Sequence, residues 1–98
     1  MEDSKAVENL TESLDKFLHF QEVILGKSYN TIRSYKRDIL QFIEYIVKNE
    51  EISDYNNIEI FTVRSFIAYS NNNDVGKRSI NRKISALRSF FAYLKEQN

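Results

Sequence analysis

The near absence of helix-breaking residues constrains this chain more than any other feature. In 98 residues there is no proline, and the two glycines are Gly26 and Gly76. Because proline and glycine most strongly interrupt helices, long helices are easy to build here. Glycine-rich phosphate-binding loops are disfavoured for the same reason, since they need several glycines close to the phosphate. The sequence therefore predicts an all-α protein and argues against a nucleotide enzyme.

Apolar residues recur at steps of three and four, the spacing that places side chains on one face of a helix. This spacing predicts helices over about 10–25, 29–49 and 79–96, and a shorter one that starts between 59 and 62 and ends near 71. Four helices around one core favour an orthogonal four-helix bundle. Residues 1–8 lack the periodicity, so 1–9 are predicted to be a flexible N-terminal segment, a few residues of which could extend the first helix, with the folded domain over 10–98.

The same spacing predicts the buried faces and the helix caps. Gly26 is expected to end the first helix in the left-handed conformation, and Ser28 and Ser79 are expected to cap the second and fourth helices. The second helix should form the axis of the core. The predicted inward positions are Leu10, Leu14, Phe17, Leu18, Ile24 and Leu25; Ile32, Tyr35, Ile39, Phe42 and Ile46; Ile60, Val63, Phe66 and Ile67; and Ile80, Ile84, Leu87, Phe91 and Leu94.

The charges balance in number but not in position. Fourteen basic residues face fourteen acidic ones, yet residues 27–37 hold four basic residues and no acid, and residues 77–95 hold six and no acid. An acid-free basic stripe is typical of proteins that neutralise nucleic-acid phosphates. Ordinary solvated helix faces remain the alternative explanation.

Both basic segments begin with glycine, cations and a serine, at 26–28 and at 76–79. The positive end of the helix dipole and the free N–H groups favour an anion at such a start. Phosphate contacts are expected from Lys27, Lys77, Arg78 and Lys83. Groove contacts are expected from Thr31, Arg33, Arg82 and Ser85. The full set of candidate DNA-binding residues is Lys27, Ser28, Asn30, Thr31, Arg33, Ser34, Arg37, Lys77, Arg78, Ser79, Asn81, Arg82, Lys83, Ser85 and Arg88.

Two segments contain spaced motifs: SYNTIRSYKRDILQF at 28–42 and RSINRKISALRSFFAYL at 78–94. They resemble the N-terminal core-binding domain of Xer-type tyrosine recombinases and phage integrases, and the resemblance covers about 10–96. The matching residues are Ser28, Thr31, Tyr35, Asp38 and Phe42 in the first segment, and Ser79, Arg82, Ser85, Ala86, Leu87, Arg88, Phe90 and Phe91 in the second.

The resemblance implies a SAM-like domain that forms half of a clamp on double-stranded DNA at a recombination half-site. Cutting and rejoining would belong to a separate C-terminal catalytic domain of the parent, absent from these residues, and other recombinase protomers would be partners. Independently of the resemblance, the lack of a long apolar run and of a secretory signal predicts a cytoplasmic location. Thr31, Arg82 and Arg88 are the positions expected to face DNA, although Arg88 could instead pair with an acid inside the domain. Tyr35, Phe42, Leu87 and Phe91 are expected in the core.

Catalysis by this chain is not expected. It has no cysteine, its single histidine is His19, and its six tyrosines lack the surrounding cations and general acid that a nucleophilic tyrosine needs. We therefore expect no catalytic residue, metal or cofactor. No small-molecule ligand or membrane span is expected either. The tyrosines other than Tyr35 are expected to be packing or interfacial residues. The alternative function is a helical protein-interaction module that docks a partner through Phe20, Val23 or Tyr69.

Overall fold

The computed structural model describes residues 2–72 and 76–97, and every regular element in those ranges is helical. The all-α prediction is confirmed. The elements are α1 (Glu2–His19), which continues into a π-helical turn (Phe20–Ile24), then α2 (Tyr29–Glu50), a 3-10 turn (Tyr55–Asn57), α3 (Ile60–Asn72) and α4 (Lys77–Gln97). No helix within the described ranges is both long and apolar enough to cross a membrane.

The first helix starts earlier and ends differently from the prediction. Residues 2–9, predicted as a flexible segment, continue α1, and Ala6 and Val7 pack against the core. At the other end the π-helical turn changes the angular register of the side chains. Gln21 is buried there, while Ile24 and Leu25 are exposed by 65% and 50%. The prediction that these two apolar residues face inward is therefore wrong.

The second helix is the axis of the core, as the sequence predicts. Ile39, Phe42, Ile43 and Ile46 have no exposed surface, and α2 packs against α1, α3 and α4. It ends at a left-handed residue, Glu51, and the backbone N–H of the next residue donates to the carbonyl of Ile46. Because α2 touches the three other helices, its register determines where their side chains meet.

The segment between α2 and α3 is attached to the core by Tyr55. Its hydroxyl donates to the backbone carbonyl of Leu10 in α1, and its ring packs edge-on against Phe90 of α4. In α3, Phe66 is buried against Phe42, as predicted. Ile60 was predicted to face inward but is 70% exposed at the first position of the helix.

In α4 the buried face is rotated from the predicted one. The buried residues are Lys83, Ala86, Leu87 and Phe90, whereas most of the predicted seam, at Ile80, Ile84, Phe91 and Leu94, is only half-buried. The ring of Phe90 packs edge-on against Phe17 of α1, with 5.2 Å between the ring centres. This contact directs the 86–90 side of α4 inward.

Candidate nucleic-acid interface

The start of α2 is capped as the sequence predicts. The Oγ atom of Ser28 accepts a hydrogen bond from the backbone N–H of Thr31 at 3.3 Å, and the two hydroxyl oxygens lie 3.0 Å apart. Gly26 has a φ of 65°, the left-handed conformation predicted for it. Lys27 and Asn30 are exposed beside this cap. The side-chain hydroxyl of Ser28 is thus held by the fold, and exposed cationic and amide groups lie next to it.

The start of α4 differs from the prediction. The helix begins at Lys77, and the backbone N–H of Ile80 donates to the carbonyl of Gly76 at 3.0 Å. Ser79 is therefore a half-buried residue of the first turn, and its predicted role as N-cap is wrong. Lys77 and Arg78 are exposed, so the first turn of α4 still presents two cations to solvent.

The exposed candidates follow a helical spacing on both helices. Asn30, Arg33 and Arg37 recur at steps of three and four along α2, and so do Arg78, Asn81, Ser85 and Arg88 along α4. Each series therefore lies on one side of its helix. Together with Lys36 and the two lysines at the helix starts, they form what we call the basic face: Lys27, Asn30, Arg33, Lys36, Arg37, Lys77, Arg78, Asn81, Ser85 and Arg88.

Lys36 is the residue that the candidate set missed. It is exposed between two other members of the basic face on α2. The sequence carried the signal, because Lys36 belongs to the acid-free segment 27–37. Of the remaining predicted residues, Thr31 and Ser34 are half-buried, so their side chains are less accessible than those of the basic face.

Arg33 is held by a neighbouring aromatic ring. Its guanidinium carbon lies 5.7 Å from the centre of the Tyr29 ring, a cation–π arrangement. Tyr29 is 70% exposed and does not pack in the core, so it serves as a surface support for the arginine one helical turn later.

An ion-pair cluster joins α2 to α4. Asp38, which is 1% exposed, accepts from Arg82 Nε through Oδ2 at 2.8 Å and from Arg82 Nη2 through Oδ1 at 2.9 Å. Lys83 Nζ donates to Asp38 Oδ1 at 3.0 Å and also to Gln41 Oε1. The cluster therefore ties α2 to α4 directly after the acid-free segment 27–37, and Arg82 lies one helical turn after Arg78 of the basic face.

This cluster corrects two predictions. Lys83 is 4% exposed and is bound to Asp38, so its predicted phosphate contact is wrong: a buried ammonium group has no access to DNA. The acid partner inside the domain was anticipated for Arg88, but it belongs to Arg82. Arg88 is exposed, whereas the Arg82 side chain is 39% exposed. Arg82 therefore has both an internal partner and a solvent-accessible side.

The charges of the cluster determine the ionisation of its groups. Burial is the largest single influence on Asp38 and raises its pKa, but the hydrogen bonds and charges of Arg82 and Lys83 together outweigh it. The net pKa of Asp38 lies below its ordinary value. The hydrogen bond to Asp38 in turn raises the pKa of Arg82. The cluster therefore holds one carboxylate against two cations and keeps a formal charge of plus one.

Other chemistry finds no support in the described part of the chain. Within residues 2–72 and 76–97, no three histidine, aspartate or glutamate side chains come close enough to hold a metal ion. His19 is exposed, and Tyr45 and Tyr55 pack in or against the core. The polar features of this surface are its exposed cations, its amide and hydroxyl groups and its two helix starts.

The comparison with known families agrees with this architecture. Residues 14–98 match the family model described as "Phage integrase, N-terminal SAM-like domain". The chain belongs to this family. Its fold is accordingly the SAM-like, all-α fold of that domain, as the resemblance of the two sequence segments implies.

Relatives within this family are named tyrosine recombinases. The chain is 38% identical over 85 residues to tyrosine recombinase XerD of Listeria monocytogenes, and 39% identical over 88 residues to XerD of Halalkalibacterium halodurans. These matches cover 87% and 90% of this chain and 29% of each relative. XerC of Leptospira interrogans is 34% identical over 88 residues, covering 89% of this chain and 28% of the relative. No solved structure matches the chain.

Proposed function

We propose that this domain binds double-stranded DNA through the basic face, and that in the whole protein it holds recombination-site DNA for cutting and rejoining by a separate catalytic domain. The observation that carries the proposal is the Asp38–Arg82 pair, because it ties α2, directly after the acid-free segment 27–37, to the acid-free segment 77–95 of α4. The names of the related recombinases support the same function.

The chemistry of the basic face favours contacts of two kinds. The exposed lysines and arginines match phosphate oxygens and supply affinity that does not depend on base sequence. Asn81 and Ser85 are short polar side chains on the same side of α4 as Arg78 and Arg88, where they have donors and acceptors for groove edges. Binding is therefore expected to be driven by phosphate contacts and to weaken steeply with salt.

Fluorescence anisotropy tests this function, with a labelled duplex of ~30 base pairs titrated with the domain at several salt concentrations. Each phosphate that the protein neutralises adds about 0.9 to the negative slope of log affinity against log salt. We expect a slope of several units. Charge reversal of Lys27→Glu with Lys77→Glu should weaken binding at least ~10-fold and reduce the slope by about 2, one for each lost phosphate contact. Both residues are exposed at helix starts, where an acid is compatible with the helix dipole.

The matched control is Lys5→Glu with Lys48→Glu, which makes the same change in net charge at exposed positions outside the basic face. This control should keep the slope of the unmodified domain. Equal losses in the two double variants would mean that net charge alone governs binding and would remove the basic face as the site. Circular dichroism checks that both variants keep their helices.

A second candidate function is protein docking, favoured by three consecutive exposed apolar residues at the end of the π-helical turn that follows α1. Val23, Ile24 and Leu25 are 57%, 65% and 50% exposed. Exposed apolar residues in a row are typical of contact sites for other proteins. Absence of duplex binding even at low salt would favour this function, because apolar docking depends little on phosphate neutralisation.

A further inference from the structure

The Asp38 cluster is unusual for its position, since a buried acid lies between the two helices that carry the surface proposed to meet a polyanion. Asp38 is 1% exposed, and its carboxylate is held by both Arg82 and Lys83. Fold stability is a weak reason for such a cluster, because well-packed apolar residues often stabilise a protein as much as a buried ion pair. The geometry of the Arg82 pair indicates a further role.

The pair fixes the orientation of the guanidinium. Arg82 binds through Nε and Nη2 to the two oxygens of one carboxylate, which is the planar, two-point geometry that only arginine provides. This arrangement does not use the Nη1 amino group, and the Arg82 side chain is 39% exposed. An arginine held in this way loses little further freedom when it binds an anion.

We propose that Asp38 is a positioning residue for DNA binding: it holds the Arg82 guanidinium so that its free Nη1 edge donates to a DNA phosphate. The inference rests on the proposed function and deepens it, since it assigns a role to an acid that does not itself touch DNA. The plus-one charge of the cluster keeps the site attractive to a phosphate even though it contains a carboxylate.

Positioning and simple charge predict opposite results when Asp38 is neutralised. If only charge matters, removing a negative group near the phosphates tightens binding. If Asp38 orients Arg82, Asp38→Asn weakens binding although the protein becomes more positive, because the amide removes one acceptor oxygen and places an N–H donor against two cations. The sign of the change therefore separates the two explanations.

The experiment compares the unmodified domain, Asp38→Asn and Glu44→Gln with the same labelled duplex across salt concentrations. Glu44 is an exposed acid on α2, so Glu44→Gln removes one negative charge without touching the cluster. We expect Glu44→Gln to bind as tightly as the unmodified domain or up to a few-fold tighter. Asp38→Asn should bind about 5- to 10-fold more weakly, with a salt slope lower by about 1 because one phosphate contact is lost.

The salt slope also distinguishes the loss of a positioned Arg82 contact from damage to the fold. A partly unfolded variant lowers the active fraction, and hence the apparent affinity, but leaves the slope of the folded fraction unchanged. If Asp38→Asn does not fold, Arg82→Lys replaces it, since lysine keeps the charge but lacks the two-point geometry. Weaker binding by Arg82→Lys supports positioning, and unchanged binding by it overturns the inference.

The outcomes for the two proposals are distinct. Duplex binding by the unmodified domain together with tighter or equal binding by Asp38→Asn overturns the positioning role and leaves the proposed function intact. Weaker binding by Asp38→Asn with an unchanged slope also overturns it, because the loss is then structural. Absence of binding by the unmodified domain at low salt removes both proposals.

Discussion

At the scale of single residues, Asp38 links the pH dependence of folding to the candidate site. Its pKa in the folded protein is below the ordinary value, because the two cations outweigh the effect of burial. The unfolded chain, with a pKa of about 3.9, therefore takes up a proton more readily than the folded one. The stabilisation from Asp38 is complete above that pH and is lost as the pH falls through the lower, folded pKa.

This linkage predicts a difference between Asp38→Asn and the unmodified domain that depends on pH. Below about pH 4 the melting temperature of the unmodified domain should fall more steeply than that of Asp38→Asn, because the variant has no carboxylate to protonate at this position. Thermal melts followed by circular dichroism from about pH 2 to pH 7 measure it. Glu44→Gln should retain the steep fall, and parallel curves for all three proteins would contradict the linkage.

At the scale of the elements, periodicity predicted the four helices, and it predicted α2 best because its apolar stripe and its Ser28 cap agree with each other. It predicted the buried face of α4 less well. On a wheel of 100° per residue, the centre of the buried set in that helix lies about 70° from the centre of the predicted seam. The rotation follows from two contacts with distant residues, Phe90 with Phe17 and Lys83 with Asp38. The spacing of apolar residues within α4 carries no information about either of these contacts.

The two serines predicted as caps provide a matched test at this scale. Ser28 caps α2 through the backbone N–H of Thr31, whereas Ser79 lies inside α4. Ser28→Ala should lower the free energy of unfolding by about 1 kcal/mol, the usual contribution of a serine cap. Ser79→Ala should change it by at most a few tenths of a kcal/mol, because alanine is the better helix former. Urea unfolding of the two variants measures both values, and an equal loss would mean that both serines act as caps.

At the scale of the whole molecule, a row of exposed acids lies on a different helix from the basic face. Glu8, Glu12 and Asp15 are exposed along one side of α1, whereas Leu10, Leu14 and Phe17 turn its other side into the core. The sequence revealed this segregation, because the charges fall in separate segments. It could not reveal the Asp38 cluster, whose partners are 44 and 45 residues apart. The position of the basic face could thus be predicted in part from the sequence, whereas the Asp38 ion-pair cluster could not.

A charge on the basic face can contact DNA directly, whereas a charge elsewhere affects DNA binding only through the electrostatic field of the whole molecule. Glu12→Gln with Asp15→Asn removes two exposed acids from α1 and makes the molecule more positive. The charge reversals of the basic face change the net charge in the opposite direction. Because neither acid lies on the basic face, the number of neutralised phosphates and hence the salt slope should stay the same. The affinity should rise by at most a few-fold, because salt screens charges that lie more than about 10 Å from the bound phosphates. A steeper slope in the anisotropy titration would instead show that α1 approaches the DNA, so that the acids of this helix normally oppose contacts of their own.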